Sequence, residues 1–236
     1  KIRPQVAENL SCGTLELDLC SCGSGSVRMR LVERGRLDLA ESRYETPEGT
    51  EVFALEEKID RVLHVSREVA DVKLWSAEEP YLYELRMEVY DAAGKMQEVV
   101  ASKIGFRRFE MKDGLMLLNG MRIVFKGVNR HEFSSLTGRV VSMEETLTDV
   151  VTMKQNNINS IRTCHYPDNV GLYELCDIYG LYMIAENNME SHGSWDAAAM
   201  RKIPDRQKIV PGDNPKWEAR MLDRLKSCYQ RDKNHP

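Results

Sequence analysis

The chain has 236 residues, 42% of them hydrophobic and 30% charged, with a formal net charge of −4. That balance suits a folded protein with a real core, divided into one large domain or two ordinary ones. Lys and Arg are spread along the chain, which argues against a nucleic-acid surface, and no apolar stretch reaches the roughly 18 residues that a membrane helix needs.

The opening KIRPQVAENL carries neither an initiator Met nor the apolar core of a signal peptide, so the chain reads as a piece of something longer. The first hundred residues follow the grammar of strands. TLELDL, SVRMRLVERG, VFALEEKIDRVLHV and LYELRMEVYDAAGKMQEVVASKIGF alternate apolar with polar residues and are bounded by Gly, Pro and Asp-Ala-Ala-Gly turn chemistry. Tyr83 to Val89 alternates cleanly, and Asp91 to Gly94 turns into the next strand. Several short antiparallel strands in about 100 residues predict a β-sandwich of immunoglobulin-like size. Six cysteines are too sparse for a disulfide scaffold in a chain of this length. Cys20-Ser21-Cys22 has the look of a metal pair, but no His lies near it in sequence, so ordinary reduced thiols in a cytoplasmic protein are the expectation.

From about residue 120 the pattern changes. Ile123 to Val128 reads as a mostly apolar strand. SMEETLTDVVTMKQNN reads as a helix, because Ser142 is followed three residues later by Glu145, a capping-box spacing. Leu147, Val150, Val151 and Lys154 share one face of it. INSIRTC is the next strand, and VGLYELCDIYG is a helix that Gly180 closes in left-handed conformation. LYMIAE is a third strand and NPKWEARMLDRLKSCYQRDKNHP a third helix. This alternation predicts a parallel sheet covered by helices, with three units where a closed barrel takes eight.

Each of these strands ends in polar residues: Asn129-Arg130-His131-Glu132, then Arg162-Thr163-Cys164-His165-Tyr166-Pro167, then Glu186-Asn187-Asn188 followed by Glu190 and His192. Parallel strands put their C-terminal ends on one edge, where α/β barrels build active sites. Three of the five histidines, several carboxylates and two arginines are therefore expected on one rim, away from His64 and His235. Taken singly, each is as well explained as a surface or capping residue. Their repetition after three consecutive strands points to a site. Glu190 and His192, two apart, share a side in an extended chain and suit Zn or Mn chemically, Mg preferring oxygen.

The segments VKLWSAEEPYLYEL, IGFRRFE, LMLLNG, FKGVNRHE, MKQNNINSIRTCHYP, LCDIYGLYMIAENNMESHG and RDKNHP resemble the large β-galactosidases of glycoside hydrolase family 2 from about Trp75 to Pro236. The resemblance implies the end of an immunoglobulin-like β-sandwich (1–110) followed by the first three βα units of a TIM barrel (111–236). It implies that His131 and His165 hydrogen-bond the sugar and stabilise its transition state, and that Arg162 and Asn188 position it. It also makes Glu190 and His192 two ligands of an active-site Mg²⁺. The acid/base and nucleophile Glu of retaining hydrolysis are expected beyond residue 236, since the acid/base follows an Asn and this chain has no Asn-Glu dipeptide. Glu186 and Glu190 do not replace them. The parent enzyme implied is a cytoplasmic hydrolase of terminal β-D-galactosides such as lactose, acting with further domains of the same chain and as a homo-oligomer, without nucleic acid or membrane. The isolated chain is expected to be inactive. Two alternatives stand beside this: a β-glucuronidase-like member, against which MESHG weighs, and a module with no catalysis.

Overall fold

The computed structural model describes residues 1–236 except 39–42, 47–48, 201–208, 211 and 213. Strands β1 (Ile2–Val6), β2 (Cys12–Gly35), β5 (Thr50–Ala70), β6 (Leu82–Asp91) and β7 (Met96–Ile104) form one antiparallel sheet, and β3 (Leu37–Asp38) pairs with β4 (Arg43–Tyr44) in the excursion between β2 and β5. The run expected as several short strands is dominated by two long ones, of 24 and 21 residues. TLELDL and SVRMRLVERG belong to a single strand because pairing with β5 resumes after a bulge: Cys20 faces Val62 and Ser24 faces Asp60. Arg61, opposite the bulge, takes a left-handed φ of 64°. A bulge of this kind bends and twists both strands. The ribbon thereby curls, and Leu15 and Leu17 from one side of the bulge enter the same core as Val27, Met29 and Leu31 from the other. β6 and β7 complete that core through Tyr83, Leu85 and Ile104, so the sandwich is one sheet curled on itself.

Strands β8 (Phe109–Lys112), β9 (Leu115–Leu118) and β10 (Met121–Arg122) then form a small antiparallel sheet. The parallel sheet follows: β11 (Gly127–Arg130), β12 (Ser160–Thr163) and β13 (Tyr182–Ile184), with helices α1 (Met143–Gln155) and α2 (Val170–Tyr179) as crossovers. The first parallel strand starts at Gly127, not at Ile123. The Asn159 side chain takes the place of a ladder partner there, accepting from Lys126 N at 2.8 Å and donating to Val124 O at 3.0 Å.

α1 carries the expected capping box, with Ser142 Oγ accepting from Glu145 N and Glu145 Oε2 accepting from Ser142 N. Its buried face is Thr146 and Val150; Leu147, placed on that face by spacing, is 36% exposed. Val150 packs with Ile161, Leu172, Tyr173, Cys176 and Leu181 into the second core. α2 ends on Gly180 with φ of 74°, where a Cβ would meet Ala77 O at 2.4 Å, so only Gly allows this close approach. Lys154 Nζ donates to Ala77 O and Gly180 O across the same seam. Two further helices are α3 (His192–Met200), which the sequence pattern did not indicate, and α4 (Lys216–Asp232).

Sandwich and barrel segments meet on Trp75, 1% exposed. Its indole Nε1 donates to Asp177 O at 2.8 Å, and its ring meets Tyr182 edge-on. The chain end returns to this junction: His235 Nδ1 lies 2.6 Å from Asp177 Oδ2, and Asn234 Oδ1 accepts from Ile2 N.

Candidate active site

The polar strand ends do converge. In the parallel register Asn129 sits beside Arg162 and Arg162 beside Ile184. Ile161, 1% exposed, belongs to the helix-side core, so strand alternation turns Arg162 to the opposite face. There its Nε donates to Glu186 Oε1 at 2.7 Å, its Nη2 makes a second, shorter contact with the same oxygen, and its Nη1 reaches Asn129 Oδ1 at 3.3 Å. Glu186 is further fixed by Thr163 Oγ1, which accepts from Glu186 N at 2.9 Å.

His165 stands on the same group. Its Nδ1 lies 3.1 Å from Glu186 Oε2 and 3.7 Å from Glu190 Oε2. Carboxylates only accept, so Nδ1 carries a hydrogen, and in the neutral ring Nε2 is then the acceptor. The 3.4 Å approach of Arg162 Nη2 to Nδ1 sets donor against donor and is the longest of the contacts that His165 Nδ1 makes to Arg162 and Glu186. The Cys164–His165 peptide is cis. The His131 ring packs edge-on against His165 at 5.4 Å between centroids, and its Nδ1 lies 3.3 Å from Tyr166 Oη.

Glu190 and His192 are adjacent, though not through an extended chain: a helix starts at His192, and Glu190 Oε1 accepts from His192 N at 3.0 Å. That amide bond, with the neighbouring imidazoles, outweighs partial burial and holds the Glu190 carboxyl below its usual range. Glu190 Oε1 and His192 Nδ1 are 3.2 Å apart. A cation held at about 2.1 Å by two neighbouring octahedral positions separates its donors by about 3 Å, so this pair fits as part of a shell. Two donors do not complete one, and among the described residues no group of three or more His, Cys, Asp or Glu could hold a metal ion.

A cavity of 450 Å³ is lined by Arg162, His165, Glu186 and Glu190, with Leu225 and Cys228 of α4 on its far side. His131 and His192 do not line it, so the residues expected on one rim do not share one cavity. Asn188 is exposed and lines a neighbouring cavity with Glu190, not the one with Arg162. Of the two arginines expected on the rim, Arg130 is absent. It is 5% exposed and faces the helices, with Nη1 2.6 Å from Asp168 Oδ2 and Nε 3.0 Å from Asp149 Oδ2. Alternation explains this too, since Arg130 follows Asn129 and must point the other way. The same period would have exposed Asn129 as the neighbour of Arg162. Glu186, the hub of the network, was visible as a strand-end carboxylate, but nothing in the sequence marked it as the shared partner of Arg162 and His165. Tyr166 stood in the second strand end with no role read for it, and Arg139 was not marked at all.

Comparison with known proteins matches residues 1–107 to the family model described as glycosyl hydrolases family 2 and residues 109–236 to that of the family 2 TIM barrel domain. The chain is 54% identical over 172 residues to a β-galactosidase of Halalkalibacterium halodurans, covering 73% of this chain and 17% of that protein. It is 42% identical over its whole length to the β-galactosidase large subunit of Leuconostoc lactis, covering 36% of that protein. Thus the chain spans between about a sixth and about a third of these relatives. Among solved structures, Bacteroides uniformis β-glucuronidase 3 superposes on the whole chain with a TM-score of 0.77 at 21% identity, over 26% of its own length. Bifidobacterium dentium β-glucuronidase covers 99% of the chain with a TM-score of 0.75 at 26% identity, over 34% of its own length. With both halves matched in order, and a barrel-type rim assembled from its parallel strands, the chain belongs to glycosyl hydrolases family 2.

Proposed function

We propose that this chain is the part of a retaining β-galactosidase that holds the sugar and part of the metal shell. The observation that carries the reading is the joined set Arg162–Glu186–His165–Glu190 at the ends of β12 and β13, in a chain whose relatives at 42–54% identity are named β-galactosidases. A sugar presents hydroxyls that both donate and accept. His165, with Nδ1 spent on Glu186, offers Nε2 as an acceptor. His131 adds a second imidazole beside it, and Arg162 holds Glu186 in place. Glu190 and His192 would hold Mg²⁺ as two adjacent ligands, which when bound supplies positive charge near the sugar. The cleavage itself takes two carboxylates about 5 Å apart. The carboxylates on this rim are engaged otherwise, Glu132 by Asn169 N, Glu186 by Arg162 and Glu190 by His192, so both catalytic groups come from outside these residues. The remaining domains, and a homo-oligomer of the parent in the cytoplasm, belong to the same proposal; two relatives bear the name large subunit. No helix among the described residues is long and apolar enough to cross a membrane.

The test is a chimera in which this chain replaces the matching segment of the H. halodurans enzyme, assayed with an aryl β-galactoside and an aryl β-glucuronide. Galactoside turnover, lowered about a hundredfold or more by His165→Ala, is the expected result, with no turnover by the isolated chain. Preference for the glucuronide would favour the second reading, to which the solved β-glucuronidases give the fold. Turnover by the isolated chain that His165→Ala and Glu190→Gln both abolish would overturn the division of labour.

A further inference from the structure

We infer that Tyr166, oriented by Arg139, holds His131 as the tautomer with a bare Nδ1 and a hydrogen on Nε2, opposite to that of His165. Tyr166 Oη touches two groups among the described residues: the Arg139 guanidinium and His131 Nδ1. Arg has five donors and no acceptor, so the phenol oxygen must accept from it. Arg139 is held over the same ring, 4.9 Å from its centroid, which makes the contact two-sided. Among the described residues the phenol hydrogen then has one partner in reach, His131 Nδ1 at 3.3 Å, and a bare Nδ1 accepts it. Were Nδ1 protonated, the phenol oxygen would accept a second time and its hydrogen would be left to solvent, with no partner among the described residues. The bare Nδ1 is the arrangement that pairs both the phenol oxygen and its hydrogen within the protein.

The consequence is a pair of imidazoles of opposite polarity, 5.4 Å apart. His131 presents an Nε2–H donor and His165 an Nε2 acceptor. Such a pair can grip hydroxyls as a donor and an acceptor at once, a use that rests on the galactoside reading, whereas the tautomer rests on Tyr166 alone. Tyr166 is thus a positioning residue acting through His131, and the Tyr following His165 has a role besides packing.

The experiment is two-bond ¹H–¹⁵N correlation of the His side chains in this chain at about pH 8, above the ordinary imidazole range of about 6.5. In the wild type, His131 Nδ1 is expected as an unprotonated nitrogen and Nε2 as a protonated one. Tyr166→Phe keeps the ring and removes the hydroxyl, and should move both signals toward the averaged positions of exchanging tautomers. Arg139→Met should do so in part and Arg139→Lys not at all. Residues whose backbone amide signals stay in place certify the fold of each variant. A protonated Nδ1 in the wild type, or signals that Tyr166→Phe leaves unmoved, would overturn the inference. Galactose added to the wild type reads the other proposal separately: an Nε2 signal indifferent to the sugar counts against the galactoside role, with the tautomer already decided by the variants.

Discussion

Removing Asp168 tests how the helical layer is held to the parallel sheet. Its carboxylate is fully buried and Arg130 is 5% exposed, with 2.6 Å between Arg130 Nη1 and Asp168 Oδ2. In Asp168→Ala the guanidinium stays buried and keeps only Asp149, whose side chain is 48% exposed. Breaking a buried ion pair from one side costs about 3–5 kcal/mol, because the other charge is left unpaired. Two features place this pair at the lower end. Burial pushes the Asp168 carboxyl up against the pull of Arg130, and Asp168 Oδ1 has no hydrogen-bond partner among the described residues. The expected loss is therefore about 3 kcal/mol, or a fall of about 1 M in the urea midpoint for a slope of about 3 kcal/mol/M. Replacing both partners, as Arg130→Met with Asp168→Leu, removes the stranded charge and should restore most of the stability. Urea titration followed by circular dichroism measures all three proteins. An Asp168→Ala loss under about 1 kcal/mol, or a double variant no better than the single one, would refute the reasoning.

The His235–Asp177 pair predicts a pH dependence. Burial lowers the His235 imidazole, but the Asp177 carboxylate more than offsets this and leaves it above its ordinary value. Burial likewise raises Asp177 despite His235. Both folded-state values lie above the unfolded ones, so the His235 contribution is complete below about pH 6.5 and is lost as pH rises through the raised value, while Asp177 acts in the same sense from about pH 4. The unfolding midpoint should fall between about pH 6 and 8, and His235→Gln should flatten that fall; a midpoint rising over this interval would contradict it. For metal binding, calorimetric titration of this chain with Mg²⁺ should show no strong site, because two donors cannot displace enough of the water this ion retains. Submicromolar affinity would mean that further ligands exist.

What could be read locally was read well. The capping box at Ser142 and Glu145, the left-handed Gly180 and the order of strands and helices after residue 120 depend on neighbours within four residues. The placement of His165, Glu186 and Glu190 on one rim followed from that order, since parallel strands bring their C-terminal ends to one edge. Family membership was also legible, because the motifs keep their order. Tertiary structure decided what depends on distant partners. The bulge that merges two expected strands into β2 is set by β5, some 40 residues on. Arg130 turns inward to Asp168, 38 residues away, and Glu186 binds Arg162 at a separation of 24. Tyr166 meets Arg139 across 27. A hydrogen bond is chosen by which donors and acceptors arrive within about 3 Å, and only the packed chain brings such pairs together.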